Sequence, residues 1–351
     1  MDAKSSLSAK KYLGVVGLGP AGCIFLASLP PAALTSSTVV YDSGCIGGDL
    51  ARLYGCVTAN LTCDEIVCAL RTVAAWKDAD MTFLTDRYAP DKCPMLSDAC
   101  AMIRQLVAPI LTRLTVRTAH VQEIKQVGDG WSVTTAANGT DVFGKVVLCT
   151  GASPIQLDIP KSNIPLDIAL CEEKLRSFVR PTDRVVVFGT AHSGTLILRN
   201  LKNVGVTNVT AVHKNEKPFS WARDGDTEGI KQESAIIADE IVAGTWGSST
   251  PALVRLDTAT CGFLRSLMEC DHVIYGIGFQ TRAPMILDSA GAKIDPRAYS
   301  VESAKLLDGL WGFGIGFPSK YTTPAGRQAS DVGFGPFAAH IAKCLPAILG
   351  P

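Results

Sequence analysis

Tyr12-Leu-Gly-Val-Val-Gly-Leu-Gly-Pro-Ala-Gly22 is an apolar run that ends in Gly17-x-Gly19-x-x-Gly22, and the apolar residues Cys23 to Leu29 follow it directly. Strand, glycine turn and helix in that order form a dinucleotide-binding fingerprint. The first glycine permits the tight turn, the second lets the backbone approach a pyrophosphate, and the third lets helix and strand pack closely. The helix, opening at Pro20 and Ala21, turns its unpaired N–H groups and positive dipole end toward the phosphates. A second strand, Thr38-Val-Val-Tyr41, ends in Asp42, about 20 residues beyond Gly22, where a carboxylate accepts hydrogen bonds from a ribose 2′-OH. Gly17, Gly19, Pro20, Ala21, Gly22 and Asp42 are therefore the candidates for a first nucleotide site. The alternative is an ordinary glycine-rich turn with Asp42 solvated beside it.

The rest of the composition agrees with a packed enzyme-sized chain. Of 351 residues 47% are hydrophobic and 19% charged, which suits a globular chain long enough for two cores and argues against disorder. Lys plus Arg and Asp plus Glu both number 33, so no net field attracts nucleic acid or an anionic membrane. Neither is expected as a partner; a small-molecule substrate is. The 12 cysteines are scattered and form no C-x-x-C pair, as expected of reduced core thiols in the cytoplasm. Leu13 to Leu34 imitates a signal peptide after Lys10 and Lys11, but its glycines and prolines argue against one continuous helix. His120, His192, His213, His272 and His340 are too dispersed to form a metal set, and no metal is expected.

Arg113 to Ala137 reads as a strand and a hairpin with its turn at Gly128-Asp-Gly130, and Lys145-Val-Val-Leu-Cys-Thr-Gly151 as a strand ending in Thr-Gly. Asp183-Arg-Val-Val-Val-Phe-Gly189-Thr-Ala-His-Ser-Gly194 is then a second strand, glycine turn and helix. Two such turns in one chain are far more specific than one. This order resembles the two-dinucleotide-binding flavoproteins, which include thioredoxin reductases, glutathione reductases and flavin-containing monooxygenases. Cys270 to Phe279 resembles the strand that leaves the nicotinamide domain, and Leu310 to Pro318 the last flavin-domain strand. The resemblance implies an α/β fold with two Rossmann-like domains in three-layer sheets, the second inserted into the first. Residues 1–155 and 281–351 would form the FAD-binding domain and 156–280 the NAD(P)-binding domain.

It also implies FAD contacts at Gly48, Asn60, Val121, Thr150, Gly151 and Gly316, with Asn60 alternatively stabilising its own turn. Gly189, Ala191, His192, Ser193 and Gly194 would hold NADPH or NADH. His213 and Lys214, at the end of the strand after the second turn, stand where the ribose is read; a cation there favours the 2′-phosphate of NADPH. Ala191 replaces the middle glycine and narrows the approach to the pyrophosphate, so a retained fold without nicotinamide stays open. Phe317 and Pro318 stand where many disulfide reductases carry an acid for the ribityl chain. Thr62 and Glu65 form a capping box that starts a helix running to about Trp76, and Asp331 to Ala347 gives a closing helix whose N-terminus is a candidate partner of the flavin's pyrimidine edge.

Hydride transfer from NAD(P)H to flavin, and onward to a small-molecule acceptor or oxygen, is the expected chemistry. The second turn looks more like that of monooxygenases than of reductases, although the F-x-G-x-x-x-H signature of that branch is missing. The cysteine pairs of the disulfide reductases, C-x-x-C in the nicotinamide domain and C-x-x-x-x-C just after the ribose-binding acid, do not occur at those places; Cys45 and Cys56 are the one plausible unusual pair, with inert buried thiols the other reading. A non-catalytic FAD-binding module or redox sensor is the remaining alternative. Trp221-Ala-Arg-Asp-Gly-Asp226 faces either substrate or solvent.

Overall fold

The computed structural model describes residues 11–137, 139–219, 230–258, 261–322, 326 and 328–350; Trp221 to Asp226 lie outside them. The chain divides into two compact units. The first takes Met1–Ser153, Thr281–Tyr321 and Ser330–Pro351, and the second Pro154–Gln280 with Thr322–Ala329.

In the first unit, strand Lys11–Val16 lies between two parallel neighbours, Thr38–Asp42 and Thr140–Leu148. Thr115–Thr118 extends the sheet past Thr38–Asp42, and Leu310–Gly312 pairs in parallel with the end of Thr140–Leu148. The beginning of that long strand pairs antiparallel with Gly130–Thr135, which returns from Val121–Val127. Side chains alternate across the pleat, so one strand feeds two cores. Leu13, Val15, Val40 and Val147 face the layer of helices Pro20–Ser28, Leu96–Leu111 and Phe334–Leu349. Val16, Val39, Tyr41, Phe143 and Leu148 instead meet Trp131, Val133, Ile286 and Phe317 on the hairpin side. Helices, parallel sheet and hairpin thus make three layers. Gly14 gives the Phe143 ring its place, since a Cβ there would lie 3.1 Å from it.

The helix Pro20–Ser28 is buried on every side from Ala21 to Ala27, which explains why its sequence is apolar without periodicity. Among the described residues no helix is long and apolar enough to cross a membrane. The capping box at Thr62 and Glu65 forms as the sequence predicts, but its helix, Cys63–Arg71, stops short of Trp76. Thr72 turns its hydroxyl back to the Ala69 carbonyl at 2.7 Å, Val73 is extended, and a 3-10 turn delivers Trp76 into the core, where its Nε1–H donates to the Leu106 carbonyl at 3.1 Å.

The second unit is built on five parallel strands in the order Ala252–Arg255, Asn208–His213, Arg184–Phe188, His272–Tyr275 and Ser162–Asn163. Helix His192–Asn203 follows Arg184–Phe188 and buries Leu196, Ile197, Leu198 and Leu201.

Asp141 is buried at the start of its strand and carries three partners: Lys11 at 2.6 Å, Arg117 and the Tyr41 hydroxyl. Burial raises its pKa, but the hydrogen bonds from Lys11 and Tyr41 and the Arg117 charge outweigh it and hold the carboxyl below the usual range. A depressed folded pKa contributes stability above the unfolded value that is lost as pH falls through the folded one. Asp141→Asn should therefore cost about 3 kcal/mol at pH 7 and flatten the loss of stability below about pH 4. Urea unfolding of both proteins across pH checks this; equal acid sensitivity would contradict it.

Candidate functional site

Where strand Lys11–Val16 meets helix Pro20–Ser28 the backbone makes a first elbow that the protein's own packing dictates. Gly17 has φ +103°, and a Cβ on it would stand 2.4 Å from the Cys149 carbonyl oxygen. A Cβ on Gly22 would stand 2.0 Å from the Gly17 carbonyl oxygen. Real Cβ atoms do not approach backbone that closely, so both positions require glycine for folding alone. Gly19 differs: its backbone is ordinary (φ −65°, ψ 177°) and a Cβ there would meet nothing within 4 Å. The intramolecular fold does not demand glycine at this position, whereas a diphosphate laid across the helix start does.

Asp42 ties this elbow to its surroundings. Oδ2 accepts from the Leu18 N–H at 2.7 Å, and Oδ1 from those of Gly44 and Cys45, each at 2.8 Å. A carboxylate has about four lone-pair sites, so three backbone bonds leave one for a ribose hydroxyl. Three further segments close on the same place. Gly48 (φ +60°) is so near that a Cβ would lie 3.0 Å from the Gly19 Cα; one on Gly314 (φ +90°) would lie 2.7 Å from the Ala21 Cβ; one on Gly316 would lie 2.3 Å from the Gly151 carbonyl oxygen. Gly48, Gly151 and Gly316 thus meet around the elbow, and Gly314 joins them although the sequence gives it no special mark. Thr150 donates its hydroxyl to the Arg282 carbonyl.

The other first-unit candidates stand farther out in character. Asn60 is exposed, just before the capped helix, in a loop held by the Ala59 N–H to Pro94 carbonyl bond at 2.8 Å. Val121 is a buried strand residue opposite Thr135. Phe317, where an acid was looked for, is fully buried: it meets Tyr299 edge-on at 5.5 Å, and Gly312 makes room for its ring. The closing helix begins at Phe334 after Gly333 (φ +135°).

The second elbow repeats the first within its own unit. Gly189 has φ +100° and would clash with the Gly276 carbonyl at 2.3 Å; Gly194 would clash with the Gly189 carbonyl at 2.0 Å. The Gly189 N–H donates to Val212 as the Gly17 N–H donates to Tyr41. Ala191 takes the place of Gly19 with nearly the same backbone, φ −77° and ψ −169°, which any residue can adopt. Its methyl is exposed at the helix start and narrows the mouth without distorting the turn. Ser193 and the buried Gly194 continue the first helical turn.

His192 donates through Nδ1 to Ser234 Oγ at 2.6 Å, because the Ser234 proton is committed to the Lys231 carbonyl at 2.9 Å. Burial pushes its pKa below the ordinary value, so this ring is neutral at pH 7. His213, the counterpart of Asp42 by strand register, is buried and bonds the Asn215 carbonyl through Nδ1 at 2.8 Å. It fastens its own loop, and of the pair only Lys214 is exposed.

Two thiols near the first elbow, Cys23 and Cys100, are inert by burial, whereas Cys45 is half-buried and Cys56 exposed. Cys23 and Cys100 are pushed up to about 12, chiefly by desolvation, and Cys100 lies within the electrostatic reach of Cys45, which is half-buried with its Sγ 3.6 Å from the Gly48 carbonyl. A protonated thiol is a poor nucleophile for disulfide exchange.

No protein-family model matches the chain. A flavin-containing monooxygenase from Stenotrophomonas maltophilia superposes with a TM-score of 0.64 at 15% identity, covering 97% of this chain and 99% of its own. The bacillithiol disulfide reductase of Staphylococcus aureus superposes at 0.63 and 14% identity, covering 97% and 98%. The chain shares the fold of these two proteins, with two Rossmann-like units. By sequence, the monooxygenase AgnR1 of Paecilomyces divaricatus is 25% identical, with 95% of this chain and 96% of that protein aligned.

The contrast among the elbow glycines is directly measurable. Gly22→Ala should destabilise the protein by roughly 2 kcal/mol or more through its backbone clash, whereas Gly19→Ala should stay within about 0.5 kcal/mol of the parent. Urea midpoints of the two variants decide it; similar losses in both would contradict the reading of Gly19.

Proposed function

We propose that this chain is an FAD-dependent oxidoreductase that draws on NADPH, or NADH, and works on a small-molecule acceptor or oxygen in the manner of a flavin monooxygenase. The observation that carries this reading is Gly19: a helix start ringed by Gly48, Gly151, Gly314 and Gly316, with nothing within 4 Å of an added Cβ at the one elbow glycine the fold itself does not need. We assign Gly17, Gly19, Pro20, Ala21, Gly22 and Gly48 to the diphosphate, Asp42 to the ribose, and Asn60, Val121, Thr150, Gly151 and Gly316 to the remainder of FAD. Gly189, Ala191, His192, Ser193 and Gly194 are assigned to the nicotinamide dinucleotide, with Lys214 for a 2′-phosphate and His213 supporting the loop that carries it.

A bound flavin supplies the redox chemistry, taking hydride from the nicotinamide and passing electrons onward. The chain's own share is binding, orientation and exclusion of water. The relation to AgnR1 along nearly the whole of both chains favours a monooxygenase-like reaction over disulfide exchange. Reduced thiols also fit a cytoplasmic protein, and a balanced charge fits one that binds neither nucleic acid nor membrane.

The purified protein should be yellow, lose its flavin absorbance with NADPH under anaerobic conditions, and regain it in air with peroxide formed when no substrate is present. Bound flavin that neither nicotinamide bleaches would favour the non-catalytic module. Lys214→Glu should raise KM for NADPH about tenfold more than KM for NADH, as loss of a charge-assisted contact requires; equal effects in steady-state kinetics would refute the role of Lys214.

A further inference from the structure

Asp49 and Arg282 are far apart in sequence and adjacent in the first unit. Arg282 Nη1 donates to Asp49 Oδ2 at 2.7 Å, and Arg52 Nη2 holds Asp49 Oδ1 at 2.8 Å. Arg282 also donates through Nε to the Thr150 carbonyl at 3.1 Å. Its own backbone is fastened to the same segment: its N–H bonds the Gly151 carbonyl at 3.2 Å, and its carbonyl accepts the Thr150 hydroxyl. The guanidinium passes close over Gly151, where a Cβ would stand 3.2 Å from Nη2.

The two segments joined in this way both border the first elbow. Asp49 follows Gly48, which rests on Gly19, and Gly151 rests on Gly316. The Arg282 and Asp49 side chains are 47% and 21% exposed, and an ion pair this open adds little to fold stability. Burial works against the Asp49 carboxylate, yet the hydrogen bonds from Arg52 and Arg282 outweigh it and keep the group charged. Arg282 has five donors, of which two are used here.

We infer that the Asp49–Arg282 ion pair, backed by Arg52, forms a clasp across the first elbow that retains a diphosphate-bearing cofactor and must open before the cofactor leaves. The inference rests on the reading of the elbow as the FAD site. Arg282 is a positioning residue with no part in the redox step. Its fixed backbone and two-point guanidinium make the clasp sensitive to geometry as well as charge, so lysine, which lacks the fork, should not replace it.

The test is the rate at which FAD leaves the full-length holoprotein after dilution, followed by the rise of free-flavin fluorescence. Arg282→Gln, Arg282→Lys and Asp49→Asn should each release FAD at least about tenfold faster than the parent. The Arg282→Gln and Asp49→Asn double variant should release it no faster than the quicker single variant, because one interaction is lost twice. Urea midpoints should stay at the parent value. Release within about twofold of the parent, additive effects, or variants whose midpoints fall together with retention would each overturn the clasp. A parent protein that takes up no FAD would instead overturn the reading of the elbow, and the clasp with it.

Discussion

Two close approaches hold the first elbow: a Cβ on Gly22 would meet the Gly17 carbonyl, and one on Gly17 the Cys149 carbonyl. A single methyl at either place meets a carbonyl oxygen at little more than 2 Å, so strand, turn and helix can close only around glycine. Once closed, the elbow aims a buried apolar helix at the end of the parallel sheet, where doubly wound folds bind their ligands. Asp42 then secures the turn with three backbone bonds, and the glycines at 48, 151, 314 and 316 let separate segments converge on it.

The second unit shows which parts of that device are obligatory. Gly189 and Gly194 repeat the two steric demands, while Ala191 and His213 replace Gly19 and Asp42, the two residues proposed to meet a ligand. The turn is kept and its surface chemistry is changed. A neutral His192, a His213 occupied with its own loop and an exposed Lys214 stand at this elbow, where the first has an acid. On the proposed reading, that difference suits a 2′-phosphate in place of a free ribose hydroxyl.

Much of this was legible in the sequence because glycine spacing and apolar runs are local signals. The two elbows, the hairpin, the strand into Thr150 and Gly151, and the capping box at Thr62 all rest on residues close together in the chain. Features set by distant residues were not legible. The helix after Thr62 ends early because Trp76 belongs to the core under Leu106, and Phe317 turns inward because Gly312 leaves space for its ring. Arg282 carried only the weak signal of a lone arginine beyond an apolar strand, and its bond to Asp49 spans most of the chain. His213 reads as a ribose contact from its place at a strand end, yet its burial and its bond to Asn215 follow from the loop beyond it.

The central claim is that the first elbow recognises a diphosphate. Titrating the flavin-free protein with FAD, FMN and riboflavin, and following flavin fluorescence, tests it directly. FAD binding at one per chain, with FMN and riboflavin failing to saturate at the same concentrations, is the predicted result. Equal binding of FMN, or no binding of FAD, would contradict the account.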